Sequence, residues 1–526
     1  MRAAATERPY RAGARTLSTI APIDHAVALT LAGAALGLGL LRLPGTSLWG
    51  DEVFSVQLVG TSWPVFWQMV STHEANMVLY HLVLRGWLGL TGALGLLPDE
   101  VIVRIPSIVF GASAVAVVYA IGRRWWGRMV GIVGAVLLML NQLQLLAARE
   151  ARAYSLEVFL VCCGWYALFA AITSERHARR WWFAFAVTMT LALYTHLFSA
   201  LVIAGQFIAV VVLLALQTEW RAGARRSLRS AIVSFGAIGL GALPLLAYTL
   251  RHGPTNPQIG PAGITEIARL VWNVAGHDVV FGILLGAAVA IGIALTLRHA
   301  RRAGERRLAV APAIALASWL IVPVVLSYLA TQPRLNLHLF AWGYLVVVVP
   351  ALCMLAAIAV VAVRTQFLRV AIAVALVTGA AFATPEYSSP PSQDFKTASA
   401  WIAERYRPGD GLVATSWSSA LGMAYYSRLG AFSNDLVTDS PAPWSWEAGG
   451  AIPLDMRAVA TYVAEHPRVF VIDSLLAGDT AGVKSQARDV ETWLEANYRA
   501  VGEIAVSSSL GPVRVRLYET LHPAYL

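Results

Sequence analysis

Charge is scarce in this chain: only 13% of its 526 residues are Asp, Glu, Lys or Arg, about half the share found in soluble domains. With 57% apolar residues, that scarcity excludes an ordinary soluble protein and points to a polytopic membrane protein. Cysteine is nearly absent too: Cys162, Cys163 and Cys353 all sit in apolar runs, so they read as small core residues and not as disulfide or metal ligands. No Gly-rich phosphate loop, metal-ligand spacing or internal repeat occurs, which removes support for inverted-repeat transporter architecture. The formal charge of +10 does not indicate nucleic acid, because the basic residues come in short clusters between long apolar runs.

A bilayer core needs roughly 20 apolar residues per helical crossing. The sequence offers eleven such runs: 22–43, 101–121, 129–147, 154–173, 181–196, 198–217, 230–250, 278–297, 309–330, 339–363 and 369–384. The N-terminal arm to Arg15, "RRWWGR" (123–128), "SERHARR" (174–180), "QTEWRAGARRSLR" (217–229), "LRHARRAGERR" (297–307) and "RTQFLR" (364–369) fall on alternate connections and hold 21 of the 40 basic residues. They are expected inside, with a cytoplasmic N-terminus and an extracytoplasmic C-terminus in the plasma membrane. The first run lacks a clear signal-peptidase site and reads as a retained helix. Residues 76–97 are apolar enough to cross, but a crossing there would invert every later cluster. They are therefore expected as a helix lying on the outer membrane surface, within a long, partly helical first outer loop, 44–100.

After the linker "TPEYSSPPSQD" the pattern becomes α/β: helix 393–406, strand 411–416, helix 455–465, strand 468–473, helix 485–497 and strands near 500–507 and 512–519. The expected organisation is thus an all-α membrane domain, 1–384, followed by an extracytoplasmic α/β domain, 385–526.

Candidate chemistry lies entirely on the expected outer side. "SLWGDEVFSV" (47–56) carries adjacent carboxylates, Asp51 and Glu52. Asp51 could be only a helix N-cap; on a helix the two side chains would point about 100° apart and address different partners. "THEANMVLYH" (72–81) gathers His73, Glu74, Asn76, Tyr80 and His81. "AREARAYSL" (148–156) holds Arg149, Glu150, Arg152 and Tyr154, where guanidinium groups suit a lipid phosphate. "LYTHLF" (193–198) adds Tyr194 and His196, and "TQPRLNLHLF" (331–340) adds Arg334, Asn336 and His338. Each signal also has a structural explanation; jointly they could line one cavity with carboxylates and phosphate-binding cations.

In that order, "LWGDEVFS", "EANMVLYHLVLRGW", "RIPSIVFG" (104–111), "IGRRWWGRMVG" (121–131), "EARAYSL" and "LYTHLFSAL" resemble the polytopic GT-C glycosyltransferases related to protein mannosyltransferases and aminoarabinose lipid A transferases. The resemblance implies transfer of a sugar from a polyprenyl-phosphate donor to an extracytoplasmic glycan, lipid or protein acceptor, usually with inversion. It implies Asp51 as base, Glu52 in acceptor or structural work, and Arg152 as a donor-phosphate ligand. No His/Asp/Glu spacing argues for a bound cofactor ion, although a divalent cation such as Mg or Mn bridging donor phosphate and carboxylate would leave little trace in the sequence. Members of the class commonly have Pro at the place of Val78 and Tyr at that of His81. Many also carry Arg where "GYLVVVVP" places Gly343, so either Arg334 or His338 substitutes there or the donor geometry differs. The competing classes are a transporter or flippase of a lipid-linked substrate and a non-catalytic scaffold. Charges midway along several helices and paired broken helices would favour the transporter, and the sequence shows neither.

Overall fold

The computed structural model describes residues 22–216, 220–253, 260–301, 310–387, 389–476, 479 and 481–520. The basic N-terminal arm and much of the 297–307 cluster lie outside them.

Every one of the eleven apolar runs contains a helix. Among the described residues six helices are long and apolar enough to cross a membrane, and up to eight if each bent pair counts as one span. The run at 129–147, expected as one crossing, is broken: Arg128–Met139 and Gln142–Ala148 meet at 65°. The cause is local, because the Asn141 side chain accepts from the Leu143 and Gln144 amides and starts a new helix. A second bend of 96° separates Ile264–Val274 from Val279–Leu295. The two bends correct the expectation of no broken helices.

Helix–helix contact follows residue size. A Cβ on Gly122 would lie 2.5 Å from the Gly131 Cα, so the helices Ile105–Trp125 and Arg128–Met139 approach as only small residues allow. At the bundle centre Trp165 stacks on Trp319 at 5.2 Å, and the Trp319 indole N–H donates to the Val347 carbonyl at 2.8 Å. Asp24 at the start of the Pro22–Leu40 helix accepts from Tyr119, Arg123 and Arg128 at 2.9–3.0 Å. Arg149 bonds the Gly39 and Leu41 carbonyls at the other end of the same helix. Those contacts put "RRWWGR" and "AREARAYSL" at opposite ends of the bundle.

The 44–100 segment folds as Gly50–Gly60, Trp63–Met69, an irregular turn at 70–77 and Val78–Ala93. Beyond residue 394, strands β1 (Gly411–Ala414), β4 (Arg468–Asp473), β5 (Tyr498–Val506) and β6 (Val513–Thr520) form one sheet in the order β1-β4-β6-β5, with β1 and β4 parallel and the other pairs antiparallel. A small hairpin, β2 (Trp444–Ser445) with β3 (Gly450–Ala451), and a helix, Trp417–Arg428, were not expected from the sequence. They pack on the first loop: Phe54 contacts Trp444 and Trp446 at 5.6 and 5.7 Å, and the Gln57 side chain donates to the Leu421 carbonyl at 2.6 Å.

Candidate active site

Asp51 does not cap its helix. The helix begins at Gly50, one residue earlier, and Trp49 occupies the cap position. Asp51 and Glu52 therefore both lie in the first turn and diverge as helical neighbours must. The Asp51 carboxylate turns to Arg152, with Oδ2 3.2 Å from a guanidinium nitrogen, and is about a third exposed while Arg152 is buried. Glu52 turns the other way and is fully enclosed. Its two oxygens accept from Arg104 at 2.7 and 2.5 Å, from the Ala151 amide at 2.7 Å and from the Trp49 amide at 3.3 Å. Four donors leave that carboxylate little freedom for chemistry; it joins the first loop to two other segments.

Arg152 is the centre of the site. Besides Asp51 it interacts with Glu74 and Tyr154, and its Nε is buried without a partner in the protein. Glu74, half-buried in the turn at 70–77, is pushed up to about 7 by loss of solvent, with the Asp51 charge adding to the rise and Arg152 opposing it. Burial holds the His81 imidazole down to about 3, Arg152 adding to the effect, and neither ring nitrogen has a partner. Tyr154, at the first turn of the Tyr154–Thr173 helix, has its ring 5.7 Å from that of His196.

Two residues that the sequence reading passed over belong to this group. Tyr344 sits between Tyr154 at 6.2 Å and His196 at 4.8 Å and faces the charges of Arg152, Asp51, Glu74 and Glu157. Glu157 is buried one turn beyond Tyr154. An acid inside an apolar run was the available signal for Glu157. Tyr344 lay within an almost purely apolar stretch and offered none from composition.

Asn76, Tyr80, Tyr194 and Arg149 are bonded to other parts of the fold. Asn76 accepts from the Leu197 amide at 2.8 Å, joining the first loop to the "LYTHLF" turn, and the Tyr80 hydroxyl meets Ser107 at 3.1 Å. Tyr194 donates to the Gly241 carbonyl at 3.0 Å, away from Arg152. Arg149 is committed to the carbonyls at the end of the first helix and lies over the Tyr387 ring. Glu150 is half-buried and its charge acts on Tyr80 and Tyr154. Arg334 is exposed in the 331–340 turn, and His338 is half-buried there in a left-handed conformation.

The arrangement of bundle, first-loop helices and appended sheet is shared with solved structures of other proteins. The chain is similar to ArnT from Cupriavidus metallidurans in the apo state, with 15% identity and a TM-score of 0.60 over 94% of this chain and 98% of that one. The same enzyme bound to undecaprenyl phosphate gives 14% identity and 0.52 over 94% and 97%. AglB, an archaeal oligosaccharyltransferase from Archaeoglobus fulgidus in complex with an inhibitory peptide and a dolichol-phosphate, gives 10% and 0.50 over 86% and 69%. Residues 87–247 match the family described as dolichyl-phosphate-mannose-protein mannosyltransferase. No curated protein sequence matches the chain significantly.

Proposed function

We propose that this chain is a membrane glycosyltransferase that moves a sugar from a polyprenyl-phosphate donor to an extracytoplasmic glycan, lipid or protein acceptor. The observation that carries the reading is the Asp51–Arg152 pair: a partly exposed carboxylate beside a buried guanidinium, set in a fold shared with enzymes solved with undecaprenyl phosphate and dolichol-phosphate. Arg152 supplies donors matched to phosphate oxygens. When the donor phosphate takes up Arg152, the Asp51 carboxylate is released from that partner and is free to meet the acceptor hydroxyl. The acceptor hydroxyl then gives its proton to Asp51 while its oxygen attacks the anomeric carbon. The bond from that carbon to the phosphate oxygen breaks, and the electron pair leaves with the lipid phosphate, whose charge Arg152 stabilises. One such displacement inverts the anomeric centre.

Glu52 holds Asp51's helix in place in this scheme, and Glu74 and His81 line the acceptor side. Among the described residues no three His, Cys, Asp or Glu side chains converge as a cation site. If the reaction uses Mg or Mn, Asp51 and Glu74 are the carboxylates that would hold it, and it would supply positive charge beside the donor phosphate. The alternation of Arg clusters supports an outward-facing Asp51 end, and the 385–526 region is read as an extracytoplasmic domain covering the site.

The test is the purified, lipid-reconstituted protein supplied with undecaprenyl-phosphate sugars, with released undecaprenyl phosphate measured beside mass spectrometry of envelope glycans from a deletion strain. Donor-dependent release and a missing glycan substituent are expected. Movement of lipid-linked sugar between leaflets without cleavage would instead establish the flippase reading, for which the two bent helix pairs are the structural argument.

A further inference from the structure

A carboxyl group enclosed in an apolar, span-length helix is costly and rarely idle. Glu157 is such a group, with no measurable exposure in the Tyr154–Thr173 helix, and the transfer step described above does not use it. Its Oε1 accepts from the Ser199 hydroxyl at 2.8 Å, but Oε2 is buried with no partner in the protein. His196 Nδ1 lies 3.8 Å from that oxygen. The same Nδ1 accepts from the Phe198 amide at 3.3 Å, which assigns the imidazole proton to Nε2. That Nε2 is likewise buried and unpartnered. One orphan acceptor and one orphan donor thus lie close together, with the Tyr344 ring 4.8 Å from the imidazole and the ring of Tyr154, which interacts with Arg152, at 5.7 Å.

Buried polar groups left unpaired are disfavoured by roughly the full cost of their lost hydration. Neighbouring hydroxyls on a sugar ring answer both needs, since each hydroxyl donates one hydrogen bond and accepts others. We infer that Glu157, His196 and Ser199 form the subsite for the donor's sugar: Glu157 Oε2 accepts from one hydroxyl, His196 Nε2–H donates to its neighbour, and Tyr344 packs against the ring. The assignment rests on the glycosyl-transfer reading and deepens it. Arg152 binds what every polyprenyl-phosphate donor has in common, and the Glu157 group reads the part that differs.

Binding of two probes separates the roles: undecaprenyl phosphate alone, and its mannosyl, glucosyl and arabinosyl esters. In the wild type one sugar ester binds more tightly than the bare lipid. Glu157→Gln keeps the side-chain shape and removes the charge; it is expected to lower affinity for that ester by about tenfold or more and leave the bare lipid unchanged. His196→Asn and Ser199→Ala, checked for folding by thermal melting, are expected to move affinity in the same selective way if Glu157→Gln itself fails to fold. If no ester outbinds the bare lipid, if the folded variants keep the ester's advantage, or if ester and bare lipid weaken equally, the three residues serve only as interhelical hydrogen-bonding groups and the inference is wrong. Failure of the wild type to bind bare undecaprenyl phosphate would instead remove the glycosyl-transfer reading on which it stands.

Discussion

At residue scale, adjacent carboxylates with opposite surroundings call for opposite outcomes on mutation. Asp51→Asn preserves size and removes the proton acceptor, so transfer by folded protein should fall by about a hundredfold or more. It also relieves Arg152 of its carboxylate partner, so bare undecaprenyl phosphate should bind more tightly than to wild type; unchanged or weaker binding would show that Asp51 and phosphate do not compete. Glu52→Gln strips the counter-charge from buried Arg104, and loss of one member of a buried pair costs about 3–5 kcal/mol. Its signature is a lower melting point, and an unaltered melting curve would contradict the buried-pair account. Glu74 adds a pH dependence. Its carboxyl sits near 7 in the fold against 4.5 unfolded, so between those values the folded state binds the extra proton. Stability from this group is complete below about pH 4.5 and is lost as pH rises through 7. The decline in melting temperature over that window should be smaller in Glu74→Gln, and identical profiles would rule the assignment out. The acidic pair and Arg152 were legible because charge is rare enough here to stand out. That the two carboxylates address different partners followed from helix geometry; which partners Glu52 takes did not, since Arg104 and Ala151 reach it only after the chain has folded.

At the scale of elements, the helix Gly50–Gly60 is held from both sides. Arg104 and Ala151 grip it through Glu52; the region beyond residue 390 grips it through backbone groups. The Gln393 side-chain oxygen accepts from the Gly50 amide at 2.8 Å, and the Tyr426 hydroxyl meets the Leu48 amide and Ser47 hydroxyl at 3.1 Å. Trp49 has no side-chain oxygen with which to cap the helix, so Gln393 satisfies an N-terminal amide from elsewhere in the chain. A Cβ on Gly50 would lie 2.9 Å from the Ser418 Cβ. Gly50→Ala should therefore displace the helix and lower kcat, and Ser418→Gly in the same protein should restore part of the loss. Additive losses would mean that the contact does not set Asp51's position. The partner helix Trp417–Arg428 escaped the sequence reading for a physical reason. Leu421, Met423, Tyr425 and Tyr426 are buried around much of its circumference, so no single apolar face appears. Strands β4, β5 and β6 alternate or run apolar in the ordinary way and were found within two residues of their observed ends.

For the whole molecule, the alternation of Arg clusters and the contacts at the two ends of the first helix make one topological argument. Asp24 gathers Arg123 and Arg128 at one end, and the Asp51–Arg152 site lies at the other, with the sheet-bearing region against it. If the clusters mark the cytoplasm, Ala448 in the exposed β2–β3 turn faces outward and Ala222, exposed beside Arg221, faces inward. Cysteine at 448 should react with an impermeant thiol reagent in intact cells, and cysteine at 222 only after permeabilisation. Cys162 and Cys353 are buried and Cys163 is half-buried, so the cysteine-unsubstituted protein supplies the background. The reverse labelling would put the site in the cytoplasm and end the extracytoplasmic-acceptor reading. The same architecture predicts what truncation does. If the region beyond residue 387 served acceptor binding alone, a chain ending near Tyr387 would keep donor binding and lose transfer to the natural acceptor. The structure adds that such a chain lacks Gln393, Leu421 and Tyr426, which bond Gly50, Gln57 and Leu48. The truncated protein, shown to be folded, should thus bind undecaprenyl phosphate through Arg152 yet lose donor hydrolysis to water as well as transfer. Retained hydrolysis would mean that Asp51 is positioned without the C-terminal region, leaving that region a role in acceptor binding alone.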